Sequence, residues 1–148
     1  MATTRVKYGI PDVELPRGTG GSINPRCFAG HVLVVLFCPA ETGLAEKELA
    51  DYAARAPDLV NYDAWLIAVR EEGGGSRRSG EGAIRTVSDP AGLAWRAFGE
   101  LAHVDQPLNP LNGATFLFGR GEALLRVWSG AAKAADVLSE ITERHGNG

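Results

Sequence analysis

Apolar runs separated by short polar stretches predict alternating buried strands and helices along the chain. The segment His31–Cys38 is almost entirely apolar and is ended by Pro39, which is typical of a central strand covered on both faces. The mixed pattern over 44–56 predicts a helix that Pro57 stops, and 62–70 predicts a second buried strand. A strand, a helix and a strand in this order predict a right-handed parallel crossover.

The second half of the chain predicts a strand over 84–87, a helix over 93–101 and a hairpin of strands 114–118 and 123–128. Apolar residues at spacings of three and four predict a closing helix over 131–145 that packs on the sheet. Because the hairpin is antiparallel and the crossover parallel, the predicted sheet is mixed.

Glycine and polar residues mark the remaining segments. Residues 8–23 alternate apolar and turn-forming residues and predict a short hairpin. Residues 71–82 are rich in glycine and carry no apolar side chain, so we expect a flexible loop. The ends, 1–7 and 146–148, are expected to fray.

Composition limits the function classes. A chain of 148 residues, 45% hydrophobic and 22% charged, predicts a single globular domain over 1–148. A net charge of -3 argues against nucleic acid as a partner. The apolar runs are too short to span a membrane and no secretory signal is recognisable, so a cytoplasmic location is expected. With two cysteines, a disulfide framework is not expected.

Several short motifs, in this order, resemble those of the peroxiredoxin-like redoxin branch of the thioredoxin superfamily. They are Ile10 to Pro16, Gly20 to Ile23, Cys27 to His31 leading into the central strand, Phe37 to Glu41, Ser88 to Gly92 and Ala114 to Glu122. The resemblance implies a thioredoxin fold, an α/β protein of three α/β/α layers with a mixed central sheet and an N-terminal β-hairpin extension. It also implies the antioxidant peroxidase chemistry of a family involved in cell redox homeostasis.

The positions that carry that chemistry differ here, which indicates a degenerate active site. The family's Pro-x-x-x-Thr-x-x-Cys loop, counted from Pro39, places Gly43 and Glu46 at the threonine and cysteine positions. A shift of one residue retains Thr42 but places Ala45 at the cysteine. In the thioredoxin frame, the Cys-x-x-Cys positions are Thr42 to Ala45, and no cysteine follows residue 38.

The facing loop differs as well. The family arginine, two residues before Thr115, corresponds to Gly113, and the thioredoxin cis-proline corresponds to Ala114. The candidate site therefore consists of the catalytic candidates Cys38 and Thr42 and of two loops: the ancestral active-site loop after the central strand, and the loop that faces it. The ancestral loop comprises Pro39, Glu41, Thr42, Gly43, Ala45 and Glu46, and the facing loop Gly113, Ala114 and Thr115.

Each candidate also has a simpler structural role. Cys38 is either a buried thiol that packs as a small hydrophobe or a relocated nucleophile whose pKa the following helix N-terminus lowers. Cys27 could resolve it only if the two Cα atoms lie within about 7 Å. Thr42 or Glu41 is expected to cap that helix, and glutamates such as Glu46 to be solvated.

Other chemistry-bearing residues predict no site. The three histidines lack metal-ligand spacing, so no metal and no cofactor are expected, and the three tryptophans are expected to pack in or beside the core.

Three hypotheses follow. The first is a non-catalytic module that uses the ancestral active-site face, or the proline-rich loop 103–113, to bind a protein partner or a second copy of itself. Thioredoxin-like domains that lack both motif cysteines and are attached to flavin-dependent phenol hydroxylases serve in dimerisation in this way. The second is a thiol oxidoreductase or peroxidase that acts through Cys38 with Thr42. The third is a small-molecule binder that uses the space left by the missing thiol.

Overall fold

The computed structural model describes residues 9–17, 20–39, 42–70, 84–89, 92–102, 108–109 and 112–145. The expected flexible loop at 71–82 and the expected frayed ends at 1–7 and 146–148 lie outside these ranges, as do Glu41 and most of the loop 103–113.

Within the described residues, seven strands form two sheets. A small antiparallel hairpin joins β1 (Leu15–Pro16) to β2 (Ser22–Ile23), as the N-terminal pattern predicted. The central sheet has five strands in the order β5-β4-β3-β6-β7. These strands are β3 (Val32–Phe37), β4 (Ala64–Arg70), β5 (Ile84–Ser88), β6 (Ala114–Phe118) and β7 (Leu124–Ser129). The neighbours β3, β4 and β5 are parallel, whereas β6 is antiparallel to both β3 and β7, so the sheet is mixed.

Helices cover both faces of this sheet. Within the described ranges they are α1 (Thr42–Ala54), α2 (Ala56–Asn61), α3 (Leu93–Ala102) and α4 (Ala134–His145). Tyr52 of α1 and Val137 of α4 belong to the core on one face, and Phe98 of α3 to the core on the other. The expected three α/β/α layers are confirmed. None of these helices combines the length and the apolar character that a membrane span requires.

Two local predictions were wrong, and one short element was not predicted. Pro57 does not stop the first helix: α1 ends at Ala54, and Pro57 lies in the first turn of α2, where its missing N–H costs no hydrogen bond. The closing helix begins at Ala134 rather than at residue 131: the Ala132 carbonyl accepts the Tyr52 hydroxyl, and the Val137 N–H donates to the Lys133 carbonyl. A 3-10 helix over Pro25–Phe28 had no counterpart in the prediction.

Asp89 fixes the start of α3. One carboxylate oxygen of Asp89 accepts the Ala94 N–H at 3.0 Å and the other accepts the Trp95 N–H at 2.9 Å. These are two of the N–H groups that the first turn of a helix leaves without an intrahelical partner. The Asp89 carboxylate therefore caps the start of α3.

We predict that Asp89→Ala lowers the free energy of unfolding by about 1–2 kcal/mol, because both N–H groups lose their acceptor. Urea unfolding followed by circular dichroism measures the change. Asp89→Asn, which retains an acceptor oxygen, is the matched control and is expected to lose less. An equal loss in the two variants would show that the cap is not the cause.

Candidate functional site

Cys38 lies at the carboxyl edge of the sheet, directly after β3. Its backbone N–H donates to the Val69 carbonyl at 2.9 Å, which extends the parallel pairing of β3 and β4 by one residue. Because side chains alternate along a strand, Cys38 lies on the same face as Leu36, towards the core beneath α1. The thiol is half-buried and packs against that core.

An ion pair lies beside this thiol. Arg70, the last residue of β4, donates from Nη2 to Glu46 Oε2 at 2.7 Å. The Arg70 side chain is 18% exposed and the Glu46 side chain 60% exposed. Glu46 is exposed, as expected of a charge on this helix, and its carboxylate in addition binds Arg70, whose side chain is mostly buried.

The surroundings of Cys38 favour its neutral form. Burial raises the pKa of the Cys38 thiol from 9.0 to about 11; Arg70 acts to lower that pKa and Glu46 to raise it. The free energy lost when a thiolate is removed from water exceeds the stabilisation that the nearby arginine provides. Cys38 is therefore protonated at neutral pH.

The facing loop approaches Cys38 through its backbone. Gly113 has a φ of +79°, and a Cβ on it would clash with the Phe37 carbonyl oxygen and lie 3.1 Å from the Pro39 nitrogen. A residue with a side chain is strained in this conformation and has no room there. The position that corresponds to the family arginine is thus closed to any side chain.

The next residues of this loop belong to β6. Ala114 pairs with Phe37 across the antiparallel ladder. Within the described residues no peptide bond is cis, so Ala114 does not reproduce the backbone of the thioredoxin cis-proline.

Thr115 is buried and ties the loop to the connection between β7 and α4. Its hydroxyl donates to the Gly130 carbonyl at 3.0 Å and accepts the Ala132 N–H at 2.9 Å. The Tyr52 hydroxyl donates to the Ala132 carbonyl at 2.8 Å, and burial raises the pKa of Tyr52. Since all of these partners are internal, Thr115 holds the loop in place.

The remaining candidates lie around the start of α1. Pro39 is buried, whereas Glu41 falls outside the described residues. Thr42, Gly43 and Ala45 form the first turn of α1, for which the structure describes the backbone. Thr42 is thus the first helical residue.

Other sequence candidates do not join this site. Cys27 is an exposed free thiol, and Cys38 is also free. In the part of the chain that the structure describes, no three histidine, cysteine, aspartate or glutamate side chains are grouped as metal ligands. His31 instead binds Asp63, with Nδ1 2.8 Å from each carboxylate oxygen. The three tryptophans pack beside the cores as expected.

Sequence reasoning missed Arg70. The available signal was the pairing of two apolar runs: if β3 and β4 are parallel neighbours, the residues that end them lie at the same edge. Cys38 ends the first run and Arg70 the second, which was enough to place an arginine beside the thiol.

No family model matches the chain, and none of the curated proteins matches it. Solved structures do resemble it. Peroxiredoxin Q of Xanthomonas campestris is 22% identical, with a TM-score of 0.72 over 90% of this chain and 92% of that one. The bacterioferritin comigratory protein of the same organism is 22% identical, with a TM-score of 0.69 over 97% and 99%. A thioredoxin lipoprotein of Streptococcus pneumoniae is 15% identical, with a TM-score of 0.65 over 90% and 99%. The chain therefore has the thioredoxin-like, peroxiredoxin-like fold that the motifs implied.

We predict that Gly113→Ala destabilises the protein by about 2 kcal/mol or more, because it adds a Cβ at a left-handed φ and against the Phe37 carbonyl. Thermal unfolding followed by calorimetry measures the loss. Gly121→Ala is the matched control, because a Cβ there meets nothing within 4 Å. Equal stability of the two variants would contradict the close approach at Gly113.

Proposed function

We propose that this thioredoxin-fold chain is a non-catalytic module that associates through the carboxyl edge of its sheet, with a second copy of itself or with a protein partner. The observation that carries the proposal is the state of Cys38: it is half-buried and the pKa of its thiol is raised to about 11. Peroxide reduction and disulfide exchange both begin with a thiolate.

A small thiolate population at neutral pH supports the non-catalytic role. With a pKa of about 11, about one Cys38 in ten thousand is ionised at pH 7. The family's second catalytic group has no equivalent in the facing loop, because Gly113 leaves no space for an arginine side chain. Arg70, which does lie nearby, is engaged by Glu46.

One exposed apolar side chain at the same edge supports the binding role. β5 runs parallel to β3, so α3 begins at the edge where Cys38 lies. Leu93, the first residue of α3, is 61% exposed, whereas Trp95 two residues later packs edge-on against Phe37 with ring centroids 5.3 Å apart. Leu93 is therefore the residue of this edge through which we propose the contact.

The first experiment treats the reduced protein with hydrogen peroxide and follows its intact mass. We expect Cys38 to gain no oxygen within minutes, because its thiol is protonated and half-buried. The Cys27→Ser variant is used so that oxidation of the exposed thiol does not obscure the result, and Cys27→Ser with Cys38→Ser is the control. Rapid gain of one oxygen that requires Cys38 would refute the proposal.

The second experiment measures mass in solution by light scattering across a range of concentrations. We expect a dimer that Leu93→Asp weakens by at least about tenfold, because the substitution places a charge in an apolar contact. Val60→Asp is the control, since Val60 is 63% exposed but lies on α2. A monomer at all concentrations, or equal effects of both variants, would contradict self-association through this edge.

The alternative is a thiol oxidoreductase that acts through Cys38 with Thr42. The observation in its favour is Arg70, which lies close enough to Cys38 to act against the effect of burial on its pKa. The peroxide experiment decides between the two functions.

A further inference from the structure

Two acidic groups lie where each could form an ion pair with Arg70. The Glu46 carboxylate holds it now, through the 2.7 Å contact between Oε2 and Nη2. The other group is the Cys38 thiol. The Cys38 N–H bond to Val69 O and the alternation of side chains put Cys38 and Arg70 next to each other on one face of the sheet.

The two members of the ion pair differ in how firmly they are held. Arg70 is 18% exposed and ends a strand that is hydrogen-bonded on both sides. Glu46 is 60% exposed and lies on the second turn of α1. Ion pairs with so exposed a partner are held weakly. The arginine is therefore the fixed member of the pair and the carboxylate the exchangeable one.

We propose that Glu46 is a positioning residue that keeps the Arg70 guanidinium engaged, so that the low reactivity of Cys38 depends on this single ion pair as well as on burial. The inference rests on the proposed function, in which the Cys38 thiol is unreactive, and identifies the interaction that keeps its reactivity low. When Glu46 releases Arg70, the guanidinium becomes the counter-ion of a Cys38 thiolate.

Within the described part of the chain, two charged side chains affect the pKa of Cys38, which makes the inference testable. Arg70 comes from β4 and Glu46 from α1, and these two charges affect the pKa of Cys38 in opposite directions. Tyr52, also on α1, belongs to the core against which Cys38 packs, and burial keeps its hydroxyl neutral. Removing either charge should therefore change the ionisation of Cys38 in a known direction.

The test is the pH profile of Cys38 alkylation by iodoacetamide, in the Cys27→Ser background so that one thiol reacts. Glu46→Gln is expected to raise the alkylation rate at pH 8 by about three- to tenfold, because the guanidinium is freed to stabilise the thiolate. Arg70→Gln is expected to lower the rate by a similar factor. Combining the two shows whether Glu46 acts through Arg70: the effect of Glu46→Gln should largely disappear when Arg70 is already Gln.

Glu140→Gln is the matched control. Glu140 on α4 forms an ion pair 2.8 Å from Arg126 on β7, in which the carboxylate is 12% exposed, so its loss removes the same charge from a different pair of elements. We expect its alkylation profile to match that of the unmodified background. Circular dichroism confirms that each variant is folded before its rate is compared.

Two outcomes overturn the inference. If Glu46→Gln leaves the profile unchanged, the ion pair is structural only. If Glu46→Gln has the same effect with and without Arg70, the carboxylate repels the thiolate directly and does not act by holding the arginine. Either result leaves the proposed function intact. That function is tested separately, by peroxide oxidation of Cys38 in a chain that retains both Glu46 and Arg70.

Discussion

The backbone contact between Gly113 and the end of β3 determines what this edge of the sheet can do. Gly113 adopts a left-handed φ and lies against the Phe37 carbonyl and the Pro39 nitrogen, while its own carbonyl accepts the Gly130 N–H at 3.0 Å. The hydroxyl of Thr115 fixes the Gly130–Ala132 connection from the other side. Because the main chain of Gly113 lies against that of Phe37 to Pro39, no side chain can project from position 113. Among the described residues, the charged side chains that affect the pKa of Cys38 come from β4 and α1.

The charges of these two elements act on the pKa of Cys38 in opposite directions. Arg70 ends β4 and Glu46 lies on α1, and their ion pair leaves little net charge beside the thiol. Burial therefore decides the outcome, and it raises the pKa of Cys38 to about 11. In a thiol enzyme of this fold, a positive charge at the same edge would have to exceed the cost of burial. Here Arg70 of β4 supplies a positive charge, and Glu46 of α1 neutralises it.

The sequence predicted the parts of the fold that follow from local pattern. The apolar run before Cys38 and the run ending at Arg70 became β3 and β4, because continuous apolar segments of this length suit a sheet covered on both faces. The errors arose where tertiary hydrogen bonds or position within a helix override the pattern, at Pro57 and at Ala132. The ion pair of Glu46 and Arg70 was missed because it joins residues 24 positions apart. The lack of room for a side chain at position 113 depends on main-chain distances in the folded protein, and these cannot be inferred from the residue pattern.

The ion pair beside Cys38 and the close approach at Gly113 are physically independent of each other. The ion pair could be broken by changing one exposed carboxylate, with the backbone undisturbed. Gly113 is different: a larger residue there must displace Phe37 to Pro39, and the Cys38 N–H bond to Val69 lies within that segment. Supplying an arginine from the facing loop would thus disturb the strand end that positions the thiol. Freeing Arg70 makes the thiol more acidic but adds no group from the opposite side to polarise a peroxide.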